Sequence, residues 1–312
     1  MSRKVFTFLA ISLGWACLVG AGLFVTGTSL DSLEGILVLA ALYMPSPFVA
    51  AVIAERGIRR DRFRLPRGGA RRVLAFLLAP AAGVFAFALL YLGAVFVGGD
   101  LLGLPGFGGL ATTQAQVAAG AADLLGEKAV AAAGPPPPAF VLLLAGMWGA
   151  LVAGWTLNGL FAMGEEYGWR GLLWDELKHL GGGRANLAIG TAWGLWHAPV
   201  ILQGYNYGSP LLGVPAMVAF CIGMSYFLTA LRERTGSVLP VAAAHGIFNA
   251  LAPMLILLAP GTGLVVAGPL GVVGALLLLL VGRLFWIRPQ IRSIPAAAST
   301  SSATAVPPES MG

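Results

Sequence analysis

Charged residues are scarce in this chain. Only 10% of its 312 residues are Asp, Glu, Lys or Arg, whereas 58% are hydrophobic and the mean hydropathy is +0.84. In a soluble globular domain about a quarter of the residues are charged. A chain of this size with so few charges cannot cover a water-facing surface. The composition therefore argues against a soluble enzyme and predicts a polytopic membrane protein.

Cysteine is almost absent, since the chain contains only Cys17 and Cys221. Both lie inside apolar runs, where a packed small side chain is the favoured interpretation over a disulfide. Lysine is also rare, with sixteen arginines to three lysines. Together with abundant Ala and Gly, this bias is typical of a GC-rich bacterial genome and indicates the bacterial cytoplasmic membrane as the location.

Long apolar runs are plentiful. A transmembrane helix needs roughly 17–25 predominantly apolar residues, and eight runs satisfy this. The N-terminal run is too long for the apolar region of a signal peptide, so we interpret it as an uncleaved first span. The second run contains "PSP" at 45–47, which predicts a kink. The eight predicted spans are 5–26, 35–54, 73–98, 139–163, 185–203, 211–231, 238–259 and 263–286.

The basic residues alternate between the loops. Cytoplasmic loops are enriched in Lys and Arg. With both termini in the cytoplasm, 18 of the 19 basic residues fall on that side, eight of them in 55–72, and only Lys128 lies outside. The net charge of +6 is therefore a topology signal and does not indicate nucleic acid as a partner. Anionic membrane lipid is the partner that such loops attract.

The chain shows one membrane domain, which we place at 1–292, with its motif core at 139–259. The long outer loop, 99–138, has a weak helical pattern over 113–132 and ends in four prolines, an extended spacer. Residues 293–312 are small, polar and proline-containing, which predicts a disordered C-terminal tail. The fold class is thus all-α, with about eight transmembrane helices in one bundle.

Histidine is rare, and two of the three histidines lie inside spans. An ionisable group at membrane depth is costly and indicates function by default. His197 follows Trp193 by four positions, and His245 precedes Asn249 by four, so each pair shares a helix face. His179 is predicted to be a solvated loop residue.

The stretch "GEEYGWRGLLWDEL" at 164–177 places two glutamates directly after the fourth run. Glu166 and Arg170 are four positions apart with the acid first, the favourable order for a helical ion pair. Glu165 has no such partner. We therefore expect Glu166 to be structural, and Glu165 to face the histidines in the cytoplasmic half of the bilayer and act as a general base.

The combination of Glu165, His197, His245 and Asn249 is suited to hydrolysis. A carboxylate can take a proton from water, a histidine can share it, and His and Asn can donate to an oxyanion. Alternatively, Glu165 with the two histidines could hold Zn²⁺ with an open fourth position. The sequence has no HExxH zinc signature and no GxSxG serine elbow.

Three motifs carry a resemblance to a known family. "EEYGWR" (165–170) matches EExxxR, "WGLWH" (193–197) is a variant of FxxxH, and "HGIFN" (245–249) matches HxxxN. In this order, on a multi-span chain, they resemble the CPBP family of intramembrane proteases, also called the CAAX-protease and bacteriocin-processing (Abi) family. The resemblance implies a glutamate-dependent membrane endopeptidase whose substrate is a peptide or lipidated protein.

The resemblance also implies roles for individual residues. Glu165 matches the water-activating glutamate, His197 the assisting histidine, and His245 with Asn249 the groups that stabilise the oxyanion. Trp193 stands where the family pattern has Phe, and we expect little consequence because both are large aromatics. We favour a mechanism without cofactor or metal. Two alternatives remain: a non-proteolytic binding or bacteriocin-immunity scaffold, and a small-solute transporter, which would favour paired inverted halves that the sequence does not show.

Overall fold

The structure is a computed structural model that describes residues 1–286, and this part of the chain is entirely helical apart from its loops. The predicted tail at 293–312 and the end of the predicted domain at 292 lie outside the described residues. The helices are α1 (Arg3–Thr26), α2 (Leu33–Glu55), α3 (Ala70–Leu101), α4 (Gln114–Leu125), α5 (Glu127–Ala133), α6 (Ala139–Trp155), α7 (Leu157–Leu180), α8 (Gly182–Trp196), α9 (Ala198–Ile201), α10 (Pro210–Thr235), α11 (Leu239–Leu257) and α12 (Val272–Trp286).

Five of these helices, α1, α2, α3, α10 and α11, are long and apolar enough to cross a membrane. Helices α6 and α7 would form a sixth span as a pair, although they are bent by 55° where they meet. Helices α8 and α12 have 15 residues each and are short for a span. The polytopic all-α architecture is therefore confirmed, whereas the count of eight stays a prediction.

Local sequence signals explain where several helices begin and change geometry. The hydroxyl of Ser2 accepts a hydrogen bond from the Val5 amide at the start of α1, and Gly27 adopts the left-handed conformation that ends it. In α2 the segment Leu39–Tyr43 is π-helical and a turn follows at Met44 and Pro45. This is where the proline pair predicted a kink.

Helix α11 lies at the centre of the bundle and is the most buried of the long helices. It packs against α6, α7 and α3, while α10 packs against α8 and α12. Helix α2 joins α1 to α7 on the other side. The predicted helix in the outer loop is confirmed as α4 and α5, which cover Gln114–Leu125 and Glu127–Ala133.

One end of the bundle, which we call the arginine-rich face, carries residues 1–4, 55–72, 174–184 and 232–238. Arg62 holds it together: its guanidinium donates to Glu55 at 2.5 and 2.8 Å and to Asp175 at 3.3 Å. Its carbonyl accepts from the Val238 amide at 2.9 Å. Burial works to lower the pKa of Arg62, but the hydrogen bonds to Glu55 together with the charges of Glu55 and Asp175 outweigh it, so the pKa is raised.

The opposite end, which we call the far face, carries residues 27–34, 99–138, 202–209 and 258–271. Two hydrogen bonds join its loops. The Ala111 amide donates to the Leu258 carbonyl at 3.0 Å, and the Gly108 amide donates to the Thr262 hydroxyl at 3.1 Å. The structure therefore gathers the basic loops at one end of the bundle, as the alternation in the sequence predicted.

Candidate active site

The bend between α6 and α7 positions the glutamate pair. Helix α6 ends at Trp155, Thr156 leaves helical geometry, and α7 starts at Leu157 in a new direction. Glu165 and Glu166 then lie in the last α-helical turn before a π-helical segment, Tyr167–Leu173. Such π segments are frequent at functional sites because they re-aim side chains.

Two glycines allow α7 to approach α11 and α2 closely. A β-carbon on Gly246 would lie 2.6 Å from the backbone nitrogen of Gly159, nearer than real side chains pack. A β-carbon on Gly164 would likewise lie 2.9 Å from the Met44 carbonyl of α2. Because Gly246 directly follows His245, the contact between Gly246 and Gly159 places the imidazole close to the glutamates.

Glu166 is the centre of a buried ion network. Its Oε1 accepts from Arg170 Nη1 at 2.9 Å, which confirms the predicted ion pair, and both side chains are fully buried. The same Oε1 contacts His245 Nδ1 at 2.8 Å. Arg170 Nη2 donates to the Ser225 hydroxyl at 3.0 Å. Glu166 is thus bound to a histidine as well as to Arg170. From the sequence we expected Glu165, and not Glu166, to face the histidines.

Glu165 is 2% exposed, and its Oε2 accepts from Trp193 Nε1 at 2.7 Å. The guanidinium of Arg170 stacks over the Trp193 ring at 4.2 Å from the ring centroid. Phenylalanine, the residue in the family pattern, has no N–H for this bond. The tryptophan therefore changes the surroundings of the carboxylate, whereas the effect of the exchange on activity stays a prediction.

The two histidines are oriented by oxygens that can only accept. His245 Nδ1 faces the Glu166 carboxylate, and His197 Nδ1 lies 2.9 Å from the Trp193 carbonyl. A carbonyl or ionised carboxylate accepts, so each Nδ1 carries the proton. Within residues 1–286, no hydrogen bond engages the Nε2 of either ring. Each histidine therefore keeps one ring nitrogen for a ligand.

One cavity of about 270 Å³ is lined by all four predicted catalytic residues, which confirms that they line a common space. These residues are Glu165, His197, His245 and Asn249, and Trp193 is a further lining residue. Asn249 is exposed, and its amide forms no hydrogen bond within the part of the chain that the structure describes. The cavity therefore presents a carboxylate oxygen, two imidazole nitrogens and an amide to an occupant.

The donor set does not fit a metal ion. Within residues 1–286, no group of three or more His, Cys, Asp or Glu side chains is arranged to hold one, and this includes the alternative set of Glu165, His197 and His245.

Sequence reasoning missed several residues around the site. Ser225 holds Arg170 in place, but the rule that identified the histidines selects ionisable groups and does not select a serine. The hydroxyl of Tyr43 donates to the Trp196 carbonyl and lines the same cavity, but no spacing in the sequence indicates this. His179 is exposed, as predicted. Cys17 and Cys221 are both free thiols; Cys221 is buried, as expected of a packed side chain, whereas Cys17 is exposed and that expectation is wrong for it.

The bundle and its site define a polytopic membrane protein in which a buried glutamate, two histidines and an asparagine line one cavity. Residues 136–251 match the family described as "Rce1-like: Type II CAAX prenyl endopeptidase Rce1-like". This part of the chain is an Rce1-like domain, as the three motifs predicted, and the family is one of membrane endopeptidases. No curated protein and no solved structure matches the chain significantly.

Proposed function

We propose that the protein is an intramembrane endopeptidase in which Glu165 and the histidines activate water to hydrolyse a peptide bond of a membrane-associated or lipidated substrate. The observation that carries this proposal is that some polar atoms of the site are bonded within the protein, whereas others line the cavity without a partner. Glu166, Arg170 and one nitrogen of each histidine are bound within the protein. Asn249 and the remaining nitrogens have no partner within residues 1–286, although Asn249 and both histidines line one cavity.

The reaction centre lies in the half of the bundle nearer the arginine-rich face. His245 is six positions from Leu239, where α11 starts. At 1.5 Å per residue this corresponds to about 9 Å along a helix. With that face in the cytoplasm, the centre lies in the cytoplasmic half of the bilayer.

The proposed reaction begins with water beside the free oxygen of Glu165. Glu165 takes a proton from the water, and the water oxygen forms a bond to the carbonyl carbon of the substrate. The resulting oxyanion accepts hydrogen bonds from the Asn249 amide and from His245 Nε2. The His245 role requires a proton on Nε2 as well as Nδ1, and Glu166 is then the counterion of the cationic ring.

The intermediate collapses when the carbon–nitrogen bond breaks. The leaving nitrogen takes the proton that Glu165 removed from water, and His197 lines the same cavity to assist this transfer. One water molecule is consumed, and a carboxylic acid and an amine are formed, which become a carboxylate and an ammonium group by transfer of one proton. None of these steps requires an external oxidant, reductant or cofactor.

The test is a cleavage assay with the purified full chain in liposomes. The probe is a pool of fluorogenic peptides, each supplied both unmodified and with a farnesylated cysteine. We expect cleavage by the native chain and no cleavage by Glu165→Gln. The matched control is Glu127→Gln, which changes an exposed glutamate of the long loop. Equal cleavage by Glu165→Gln and the native chain would overturn the proposal.

A further inference from the structure

A second cavity, of about 430 Å³, lies on the arginine-rich face, and we call it the charged cavity. Ten of its eleven lining residues are charged, six of them basic and four acidic. None of the eleven lines the cavity of the candidate active site. Its walls come from the start of α1, the end of α2 and the loop that follows, and the ends of α7 and α10. The volume is within the range of small-molecule sites, about 300–1,000 Å³, so its charges decide what it can hold.

Two of the four acidic residues are paired with cations of the same cavity wall. Glu55 accepts two hydrogen bonds from the Arg62 guanidinium, at 2.5 and 2.8 Å. Asp175 lies 3.3 Å from the same guanidinium, and its other oxygen lies 3.4 Å from the Lys178 ammonium. Both carboxylates are therefore already neutralised within the protein.

The other two acidic residues are paired as well. Asp61 accepts from the Arg59 guanidinium at 3.0 and 3.1 Å. Glu176 lies 3.6 Å from the Lys4 ammonium and accepts from the Ser2 hydroxyl at 2.7 Å. Every carboxylate that lines the charged cavity thus has a cation of its own, and none remains for the last two of the six basic residues.

Those two basic residues are Arg64 and Arg232. Neither guanidinium forms a salt bridge or a hydrogen bond with any residue of 1–286. Arg232 is half-buried, and its Nε is buried without a hydrogen-bond partner. The carboxylate of the adjacent Glu233 accepts from the Trp174 indole at 2.7 Å. Because a partly buried cation without a partner is costly, an anion in the charged cavity would offset that cost.

We propose that the charged cavity binds a phosphate group through Arg64 and Arg232. Guanidinium groups match the geometry of phosphate oxygens and can bind two of them at once. With the arginine-rich face in the cytoplasm, the cavity lies at the level of the lipid headgroups, and the cytoplasmic leaflet carries anionic lipid. The source is therefore the headgroup of an anionic phospholipid, and free phosphate, which offers the same oxygens, is the alternative source.

A phosphate in this position would join parts of the chain that are distant in sequence. Arg64 belongs to the loop after α2, Arg232 to α10, and Asp175 to α7, the helix that also carries Glu165 and Glu166. A ligand that binds only the folded chain raises its melting temperature. Because this readout requires no cleavage, the inference stands or falls independently of the proposed endopeptidase function.

The experiment measures the melting temperature of the purified full chain in a neutral detergent. Three additions are compared: phosphatidylglycerol, phosphatidylcholine and inorganic phosphate. The test variant combines Arg64→Gln with Arg232→Gln. The matched control combines Arg67→Gln with Arg71→Gln, which removes the same charge from exposed residues of the same face that do not line the charged cavity.

We expect phosphatidylglycerol to raise the melting temperature of the native chain and of the control, and phosphatidylcholine to have little effect. In the test variant, the phosphatidylglycerol concentration that gives half of the rise should increase about tenfold or more, because two charge-assisted contacts are lost. If inorganic phosphate alone raises the melting temperature and the test variant loses that effect, the phosphate site is supported and its source is the solution.

Arg64→Gln alone replaces the test variant if the double substitution does not fold, because Arg64 is exposed. This single change should increase the half-effective concentration about fivefold. The inference is overturned if neither phosphatidylglycerol nor phosphate raises the melting temperature of the native chain. It is also overturned if phosphatidylcholine acts as strongly as phosphatidylglycerol, or if the test variant and the control lose the effect equally.

Discussion

Oε1 of Glu166 lies 2.8 Å from Nδ1 of His245, although 79 positions separate the two residues. The same oxygen accepts from Arg170, so one carboxylate positions both a cation and a histidine of the candidate site. The third motif is therefore connected to the first through Glu166, whereas the second is connected to it through the hydrogen bond from Trp193 to Glu165. This connection makes the two adjacent glutamates separable by experiment.

Glu166→Gln is expected to destabilise the protein, because it leaves Arg170 in a fully buried position without an ionised partner. Breaking a buried pair by removing one partner costs about 3–5 kcal/mol. The measurement is a thermal melt in detergent, with Glu127→Gln as the control. Glu165→Gln should keep a melting temperature close to that of the native chain while losing cleavage, since Glu165 forms no ion pair within residues 1–286. Identical melting of the Glu165 and Glu166 variants would contradict this division.

Trp193→Phe restores the residue of the family pattern and removes the hydrogen bond to Glu165. Leaving a buried acceptor without its donor costs about 1–3 kcal/mol. We expect kcat to fall about tenfold or more, with little change in KM, because the carboxylate loses its orientation but the cavity keeps an aromatic wall.

Trp196→Phe provides the matched control for that substitution. Its indole donates to the Ser46 hydroxyl at 3.1 Å, so a similar bond is lost without any bond to Glu165. Both variants should lower the melting temperature, whereas only Trp193→Phe should lower kcat at unchanged KM. Equal kcat values for the two variants would show that Trp193 has only a structural role.

Gly246→Ala should force α7 and α11 apart, because the new β-carbon would lie 2.6 Å from the Gly159 nitrogen. Overpacking of this kind costs about 1–3 kcal/mol. We expect lower stability together with lower cleavage, since His245 moves away from Glu166. Gly149→Ala is the control: a β-carbon there meets nothing within 4 Å, so this change should leave the melt the same or higher. Native melting and cleavage in Gly246→Ala would show that the close approach is unnecessary.

Cleavage should persist after prolonged treatment with a strong chelator, because the site lacks a three-residue ligand group within residues 1–286. The measurement is the cleavage rate before and after chelation, beside elemental analysis of the purified chain. The control is the treated protein with Zn²⁺ added back. Activity that is lost on chelation and restored by Zn²⁺ would contradict a metal-free mechanism.

The sequence by itself indicated the helices, the separation of charge between the two ends, and the residues of the site. Long apolar runs and loop arginines are local properties, and the i, i+4 spacing within each motif is set by helix geometry. The Glu166–Arg170 pair was predictable for this reason. The short α8 and α12 show the weakness of such reasoning, because run length alone does not reveal where a helix ends.

Only the tertiary structure decided which residues from different motifs touch. Trp193 is 28 positions from Glu165, and His245 is 79 positions from Glu166. The second contact lies where Gly246 lets α11 approach α7 closely. Contacts of this kind depend on how separate helices pack together, which no local pattern in the sequence encodes.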